Sequence, residues 1–453
     1  MARRVRGTVH FLANWTEPSA NQRKKRYYAT ALSHPVAQPC PDLEYAAAGG
    51  IDYQRIPLDA PSLDEVLAAI NKLNNGRSPG SDGITAELLK HSASTSGELL
   101  LKLFHSVWKS GKVPGEWRDG IIVSLYKGKG SRVECGSHRP ITLLSVPGKV
   151  FAQVLLARLE PLLTENRRPQ QSGFTTGRST ADAILALRLL SDLHREFNQP
   201  LHVAYVDLKS AFDSVDRVAL WKSLQGIGVP SMLLSLVKDL YTQTNSQIRL
   251  GKKLSTSFQT RSGVRQGCIL APALFCRAMD WIMARAMDQR GITLSGDHFS
   301  DADYADDVAA MEYDPTDIAR SLENIEAASS ELGLHISWAK TKVQNLGAGP
   351  PAADLSVNGQ TVEGVQSFVY LGSSISSRSE QLRRIGIAAS NMNNLDCIWR
   401  QPCLALQTKI RLYMSLIVPI LLYASETWTL TKADTVHLQA FHMRCQRRLL
   451  GVP

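Results

Sequence analysis

The chain has 453 residues, 44% of them hydrophobic and 20% charged, with a formal net charge of +10. That length suits about two to four domains with substantial cores, and the composition excludes fibrous, low-complexity and wholly disordered classes. The charge sits at the ends: residues 1–30 and 378–453 each carry +6 around a nearly neutral centre. This is the pattern of a protein that grips a polyanion, with nucleic acid ahead of an anionic membrane.

Residues 1–60 read as a basic, weakly structured arm with five prolines and the cluster Arg23-Lys-Lys-Arg26. That cluster suits a nuclear signal, a phosphate contact or simple solvation. Ser62-Leu-Asp-Glu65 is a capping box, and Val66, Leu67, Ile70 and Leu73 then trace an apolar helix face up to Asn75-Gly76. Ser78-Pro-Gly-Ser-Asp-Gly83 must turn, and a second helical stretch covers roughly 85–110. Gly120–Tyr126 and His138–Leu144 are strands by composition, joined through the basic turn Lys127-Gly-Lys-Gly130, with Arg139 at the mouth of the second. A long amphipathic helix over 148–163 and another ending near 197 flank the loop Gln171-Ser-Gly-Phe-Thr-Thr-Gly177.

Leu201–Asp207 is a short apolar strand ending in a carboxylate, which marks Asp207 because a strand interior does not tolerate an unpaired charge. Ala211-Phe-Asp-Ser-Val215 turns into a helix carrying Leu220, Trp221 and Leu224, and a helix at 231–243, strands near 247–260 and a helix opened by Pro272 that reaches about 288 follow. Next comes an acidic hairpin, Phe299–Ala310, with aspartates at 301, 303, 306 and 307, then a helix at 315–332. Beyond Gly347-Ala-Gly-Pro-Pro351 short strands over 355–375 give way to a basic helical region.

The seven cysteines are scattered without a Cys-x-x-Cys pair, so neither a disulfide framework nor a zinc ribbon is indicated and a reducing compartment is expected. The basic N-terminus lacks the apolar segment of a signal peptide. The most apolar run, Met414–Ala424, is interrupted by Pro419 and reads as too short to cross a bilayer. The expectation is an intracellular protein of the nucleus or cytoplasm, not secreted and without a membrane partner.

An isolated Asp-Asp at a turn is ordinarily a solvated hairpin tip. Asp207 changes that weighing. Two strand ends about a hundred residues apart, on neighbouring antiparallel strands, would bring Asp207, Asp306 and Asp307 to one edge. Such a cluster can hold two Mg²⁺ ions about 3.5–4 Å apart for in-line phosphoryl transfer. Mg²⁺ needs few carboxylates because phosphate oxygens and water complete its shell.

The ordered blocks Val206-Asp-Leu-Lys-Ser-Ala-Phe-Asp213, Ser262-Gly-Val-Arg-Gln-Gly267, Tyr304-Ala-Asp-Asp307, Ser337-Trp-Ala-Lys340 and Tyr370-Leu-Gly372 resemble those of reverse transcriptases. Upstream, Ser78–Ile84, His138-Arg-Pro-Ile141 and Gln171–Ser179 are similar to the fingers of non-LTR (LINE-type) retrotransposon polymerases. The resemblance covers roughly 60–375 and implies an α+β right-hand polymerase: fingers at 61–200, a palm with an antiparallel sheet at 201–345, a palm–thumb junction at 346–375 and a basic helical thumb at 376–453. Residues 1–60 do not resemble the endonuclease that often precedes such polymerases, so the chain reads as a fragment of a longer element protein.

The implied activity is RNA-directed DNA polymerase, extending a DNA primer 3′-hydroxyl with dNTPs on an RNA template and tracking the RNA–DNA hybrid. Asp207, Asp306 and Asp307 would be catalytic and hold two Mg²⁺, with Mn²⁺ as a substitute. Phe212, five residues beyond Asp207, would exclude a ribose 2′-hydroxyl. Arg139 and Lys127 would grip the triphosphate, Gln266 and Gly267 would shape the nucleotide pocket, and Lys340 would protonate the pyrophosphate or offset its charge. Tyr370, Leu371 and Gly372 would form the primer grip. The chain reads Ala271 before Pro272 where family members usually show Ser. A silent RNA-binding remnant and a group II intron-type maturase are the alternative readings.

Overall fold

A computed structural model describes residues 18–34, 56–294, 296–375 and 380–452. The chain divides into two compact units. One comprises Met1–Pro169, Leu208–Asp288 and Asn324–Ser337; the other comprises Gln170–Asp207, Gln289–Glu323 and Trp338–Pro453. Each mixes helices with sheet, so the chain is α+β.

In the first unit the helix Leu63–Lys72 starts where the capping box places it: the Ser62 hydroxyl accepts from the Glu65 amide and Glu65 accepts from the Ser62 amide. Glu65 also takes a two-bond fork from the buried Arg158, which reaches the carbonyls of Pro57 and Asp59 as well. Arg158 therefore pins the long helix Val146–Glu165 to the start of Leu63–Lys72. The helical stretch expected over 85–110 is two helices, Ala86–His91 and Ala93–Ser110, because Ser92 turns its hydroxyl back onto the Leu88 carbonyl.

The expected hairpin is present: Asp119–Tyr126 pairs antiparallel with His138–Leu143, Ile121 opposite Leu143. Asp119–Tyr126 also pairs in parallel with Asn245–Leu250, which carries the short strands Lys253–Leu254 and Phe258–Gln259. Within the stretch read as a weakly structured arm, Pro18–Ala31 is helical. Tyr28 from this helix is buried against Ile122 and Ile248, and its hydroxyl accepts from Ser124.

The second unit is built on a six-stranded sheet ordered Leu355–Val357, Gln360–Gly364, Lys342–Asn345, His202–Val206, Asp307–Glu312, Asp301–Tyr304. All five residues of His202–Val206 are buried at the sheet's centre. On one face Val203, Tyr205, Ala309 and Met311 pack under Ala183, Ile184, Leu187 and Leu190 of the helix Thr180–Glu196. Each strand thus offers alternate side chains to that layer, the period-two pattern of a sheet.

The basic C-terminal region forms its own core, with Ala388, Met392, Trp399, Tyr413, Ile417, Phe441 and Cys445 drawn from successive helices. Its helical stretch Leu406–Thr427 is longer than the apolar run read from sequence. By length and composition alone this 22-residue stretch is apolar enough to cross a membrane, although the run Met414–Ala424 by itself is too short. The stretch is broken into Leu406–Leu416 and Val418–Leu421, and Tyr413, Ile417 and Leu421 turn into the local core.

Candidate active site

Asp207 follows directly on the buried strand His202–Val206. Its neighbour Asp307–Glu312 runs antiparallel with Val308 opposite Val206, so one step further out Asp307 and Asp207 face each other at the sheet edge. Asp306 precedes Asp307 in the turn that joins Asp301–Tyr304 to Asp307–Glu312, where Asp307 is registered with Tyr304. Ala305, the first residue of that two-residue connection, has φ +59°. This is a left-handed setting that hairpins of this length usually give to glycine.

The electrostatics report the crowding. Asp307 keeps an exposed face, yet partial desolvation, reinforced by the charges of Asp306 and Asp207, pushes its carboxyl up to about 6. A carboxylate raised by carboxylate neighbours lacks a compensating positive charge. Asp207 has one: its Oδ2 accepts from Lys340 Nζ at 2.9 Å, and its amide donates to Thr341 Oγ1 at 3.3 Å. Asp207 is therefore turned toward Lys340. Among the described residues no group of three or more His, Cys, Asp or Glu stands ready to hold an ion. The donor set still suits Mg²⁺ in kind, because all three groups offer hard oxygens and that ion keeps most of its shell for water and phosphate.

Asp301 and Asp303, the other acids of the hairpin, are buried in the strand. Tyr370 is buried too; its hydroxyl lies 2.7 Å from the Ala302 carbonyl and 3.1 Å from the Asp307 carbonyl and shares its proton between them. It packs beneath the hairpin. Leu371 and Gly372 take positive φ, +46° and +80°. The Leu371 carbonyl accepts from the Tyr423 hydroxyl, and the Gly372 carbonyl accepts from Arg383 and Arg384.

The remaining expected residues belong to the other unit. Phe212, in the single turn Ala211–Ser214, lies flat on Phe275 with ring centroids 4.2 Å apart and planes 15° from parallel. Gln266 donates to Asp213 Oδ1 at 3.0 Å, and burial raises the Asp213 carboxyl to about 7. The Ser262–Gly267 segment runs along Phe212–Val215, with Val264 N–H donating to the Phe212 carbonyl and Gly263 N–H to the Val215 carbonyl. At Gly267, φ +123°, an added Cβ would stand 2.2 Å from the Thr142 carbonyl oxygen, so the chain's own backbone approaches this glycine closely. Arg139 is exposed, opposite Leu125 in the hairpin. Lys127 Nζ donates to the Gly136 carbonyl at 2.9 Å and so ties off the loop.

Two groups escaped the sequence reading. Asp213 lay inside a quoted block, but nothing in its neighbours announces the burial that raises it. Gln171 also lay inside one; its side chain accepts from the Ala305 amide at 2.8 Å. A buried glutamine before Ser-Gly carries no periodic signal, so only the fold reveals that contact.

Residues 126–375 match the family described as reverse transcriptase (RNA-dependent DNA polymerase). The chain is 28% identical over 296 residues to the "Transposon TX1 uncharacterized 149 kDa protein" of Xenopus laevis, covering 63% of this chain and 22% of that protein. It is 28% identical over 402 residues to the "Putative 115 kDa protein in type-1 retrotransposable element R1DM" of Drosophila melanogaster, covering 86% and 38%. It is 23% identical over 431 residues to the "RNA-directed DNA polymerase from mobile element jockey" of the same fly, covering 88% and 45%. The chain thus spans less than half the length of each of these relatives.

Proposed function

The chain belongs to the reverse transcriptase (RNA-dependent DNA polymerase) family, and on that premise we propose that it extends a DNA 3′-hydroxyl with dNTPs on an RNA template. The observation that carries this reading is the convergence of Asp207 with Asp306 and Asp307 at the ends of two paired antiparallel strands. Asp207, Asp306 and Asp307 would hold two Mg²⁺ ions. When bound, these ions lower the pKa of the attacking hydroxyl and offset charge on the leaving pyrophosphate.

The chain's own groups then divide the work. Asp306 and Asp307 supply oxygens whose mutual repulsion is relieved as positive charge arrives, and the raised Asp307 carboxyl supports that part of the reading. Lys340, which holds Asp207 Oδ2, would be placed to donate a proton to the departing pyrophosphate or offset its charge.

Phe212 is the group we assign to exclude a 2′-hydroxyl; its stack on Phe275 holds the ring in one plane. Gln266 and Gly267 are assigned to the nucleotide pocket, and Arg139 and Lys127 to the triphosphate. Tyr370–Gly372 are assigned to the primer grip, with Tyr370 acting from beneath through the hairpin it bonds. We assign fingers to 61–200, palm to 201–345 and thumb to 376–453, with the basic region after residue 376 tracking the hybrid backbone. The work would be done inside the cell, in nucleus or cytoplasm.

Primer extension on poly(rA)/oligo(dT) tests the reading. It expects Mg²⁺-dependent incorporation of dTMP that Asp306→Ala abolishes. Incorporation unchanged in Asp306→Ala would sink the site assignment.

A further inference from the structure

Asp306 and Asp307 point where the backbone at Ala305 sends them, and Ala305 sits at φ +59° with only 4% of its surface exposed. An alanine leaves that left-handed conformation unless its surroundings over-determine it. The amide of a hairpin's first turn residue also has no partner in the ladder, and a buried amide needs one. The structure supplies both demands from a single residue. Gln171, 2% exposed, brings its side-chain amide alongside the Ala305 peptide. Its Oε1 accepts from Ala305 N–H at 2.8 Å, and its Nε2 donates to the Ala305 carbonyl at 3.4 Å. The same Oε1 accepts from Gly173 N–H at 2.8 Å, which fixes the side chain from its own loop.

That loop is anchored to the hairpin rather than resting on it. Ser172 N–H donates to the Asp303 carbonyl at 2.8 Å and Asp303 N–H to the Gln170 carbonyl at 3.2 Å, a short parallel bridge alongside the strand Asp301–Tyr304. Gly173 meets the turn so closely that a Cβ there would lie 2.2 Å from the Ala305 nitrogen. Tyr370 spans the two strands of the hairpin, bonding the carbonyl of Ala302 on one and that of Asp307 on the other. The turn is therefore held at three successive points: Tyr370 at residue 302 and at 307, and Gln171 at 305 between them.

We propose that Gln171 is a positioning residue, which holds Ala305 in its left-handed conformation and so aims the carboxylates of Asp306 and Asp307. The inference rests on the metal-binding role proposed for those two aspartates. Gln171 itself touches no reacting atom. Its action on the carboxylates parallels that of an outer-shell group on a metal ligand, where loss of the orienting hydrogen bond weakens the ion's hold.

The experiment titrates the whole chain with Mn²⁺ alone, read by electron paramagnetic resonance, alongside amide exchange of peptides covering residues 300–310. Asp306→Ala identifies the signal that belongs to this site. In Gln171→Met, which keeps length but neither accepts nor donates, Mn²⁺ affinity at the site is expected to fall about 10–100-fold. Exchange at the turn should accelerate, and kcat should fall with the dNTP KM held. Gly173→Ala keeps the glutamine but presses on Ala305, and should give the same pattern. Should Gln171→Met not fold, the wild-type chain still decides: the Ala305 amide should be protected although it lies in a turn, and fast exchange there overturns the proposal. Wild-type Mn²⁺ binding and exchange in folded Gln171→Met also overturn it. A wild-type chain that binds Mn²⁺ but extends no primer would refute the polymerase reading and leave this inference to be decided by binding and exchange.

Discussion

Lys340→Met separates two effects that the Asp207–Lys340 pair combines. The pair is open to solvent, with 67% of the lysine side chain and 40% of the aspartate side chain exposed. Exposed ion pairs contribute only about 0–1 kcal/mol, so the variant should unfold in urea at nearly the wild-type midpoint. The same small energy, with the repulsion between the ammonium and an arriving cation, opposes loading of a cation beside Asp207. Removing the lysine should therefore tighten Mn²⁺ binding by up to about fivefold, the equivalent of 1 kcal/mol. Turnover should move the other way: with the proton donor gone, the rate of single-nucleotide addition should drop by about 10²–10⁴. Rapid-quench incorporation and an Mn²⁺ titration on one preparation read both. Weaker metal binding, or an unchanged addition rate, would refute the assignment of Lys340 as both a competitor of the cation and an acid.

Two further outcomes follow from the geometry of the other unit. Asp213 has a folded-state carboxyl raised to about 7 by burial, so its contribution to stability is fully present below its unfolded value near 4 and is lost as pH rises toward 7. Asp213→Asn keeps an oxygen for Gln266, and should raise the melting temperature at pH 8, recovering at most about 4 kcal/mol; a pH 5-to-8 stability difference identical to wild type would count against it. Gly267→Ala must place its Cβ against the Thr142 carbonyl while holding φ +123°, and should cost about 2–4 kcal/mol in urea unfolding. A wild-type midpoint would mean that the segment shifts freely.

Much of this molecule is legible in local sequence because local physics decides it. The Ser62 capping box starts its helix, and Leu201–Val206 announces a buried central strand by composition alone. The antiparallel approach of Asp207 to Asp307 was legible as well, because Asp207 ends one apolar run and Asp306-Asp307 open another, Val308–Met311. Other features were decided by contacts distant in sequence. The helix Pro18–Ala31 has little apolar periodicity, and its one deeply buried aromatic, Tyr28, finds its place only against Ile122 and Ile248. The break at Ser92 depends on a hydroxyl that turns inward. Tyr370 looks the same in sequence whether it faces a primer or lies under a hairpin; the carbonyls of Ala302 and Asp307 decide. Asp207 looked available to a cation, and the residue that holds it, Lys340, lies 133 positions away.

The central claim, that three carboxylates at one sheet edge serve one nucleotidyl-transfer step, is tested most directly by adding a single dTMP to a primer on an RNA template. Asp207→Asn, Asp306→Asn and Asp307→Asn should be compared under identical conditions with intact folds. Asparagine keeps shape and removes charge, so Asp207→Asn and Asp306→Asn should each lose at least about 10³-fold in rate and Asp307→Asn should also fall below wild type, with primer–template binding retained. Addition by any of the three at the wild-type rate would contradict the account.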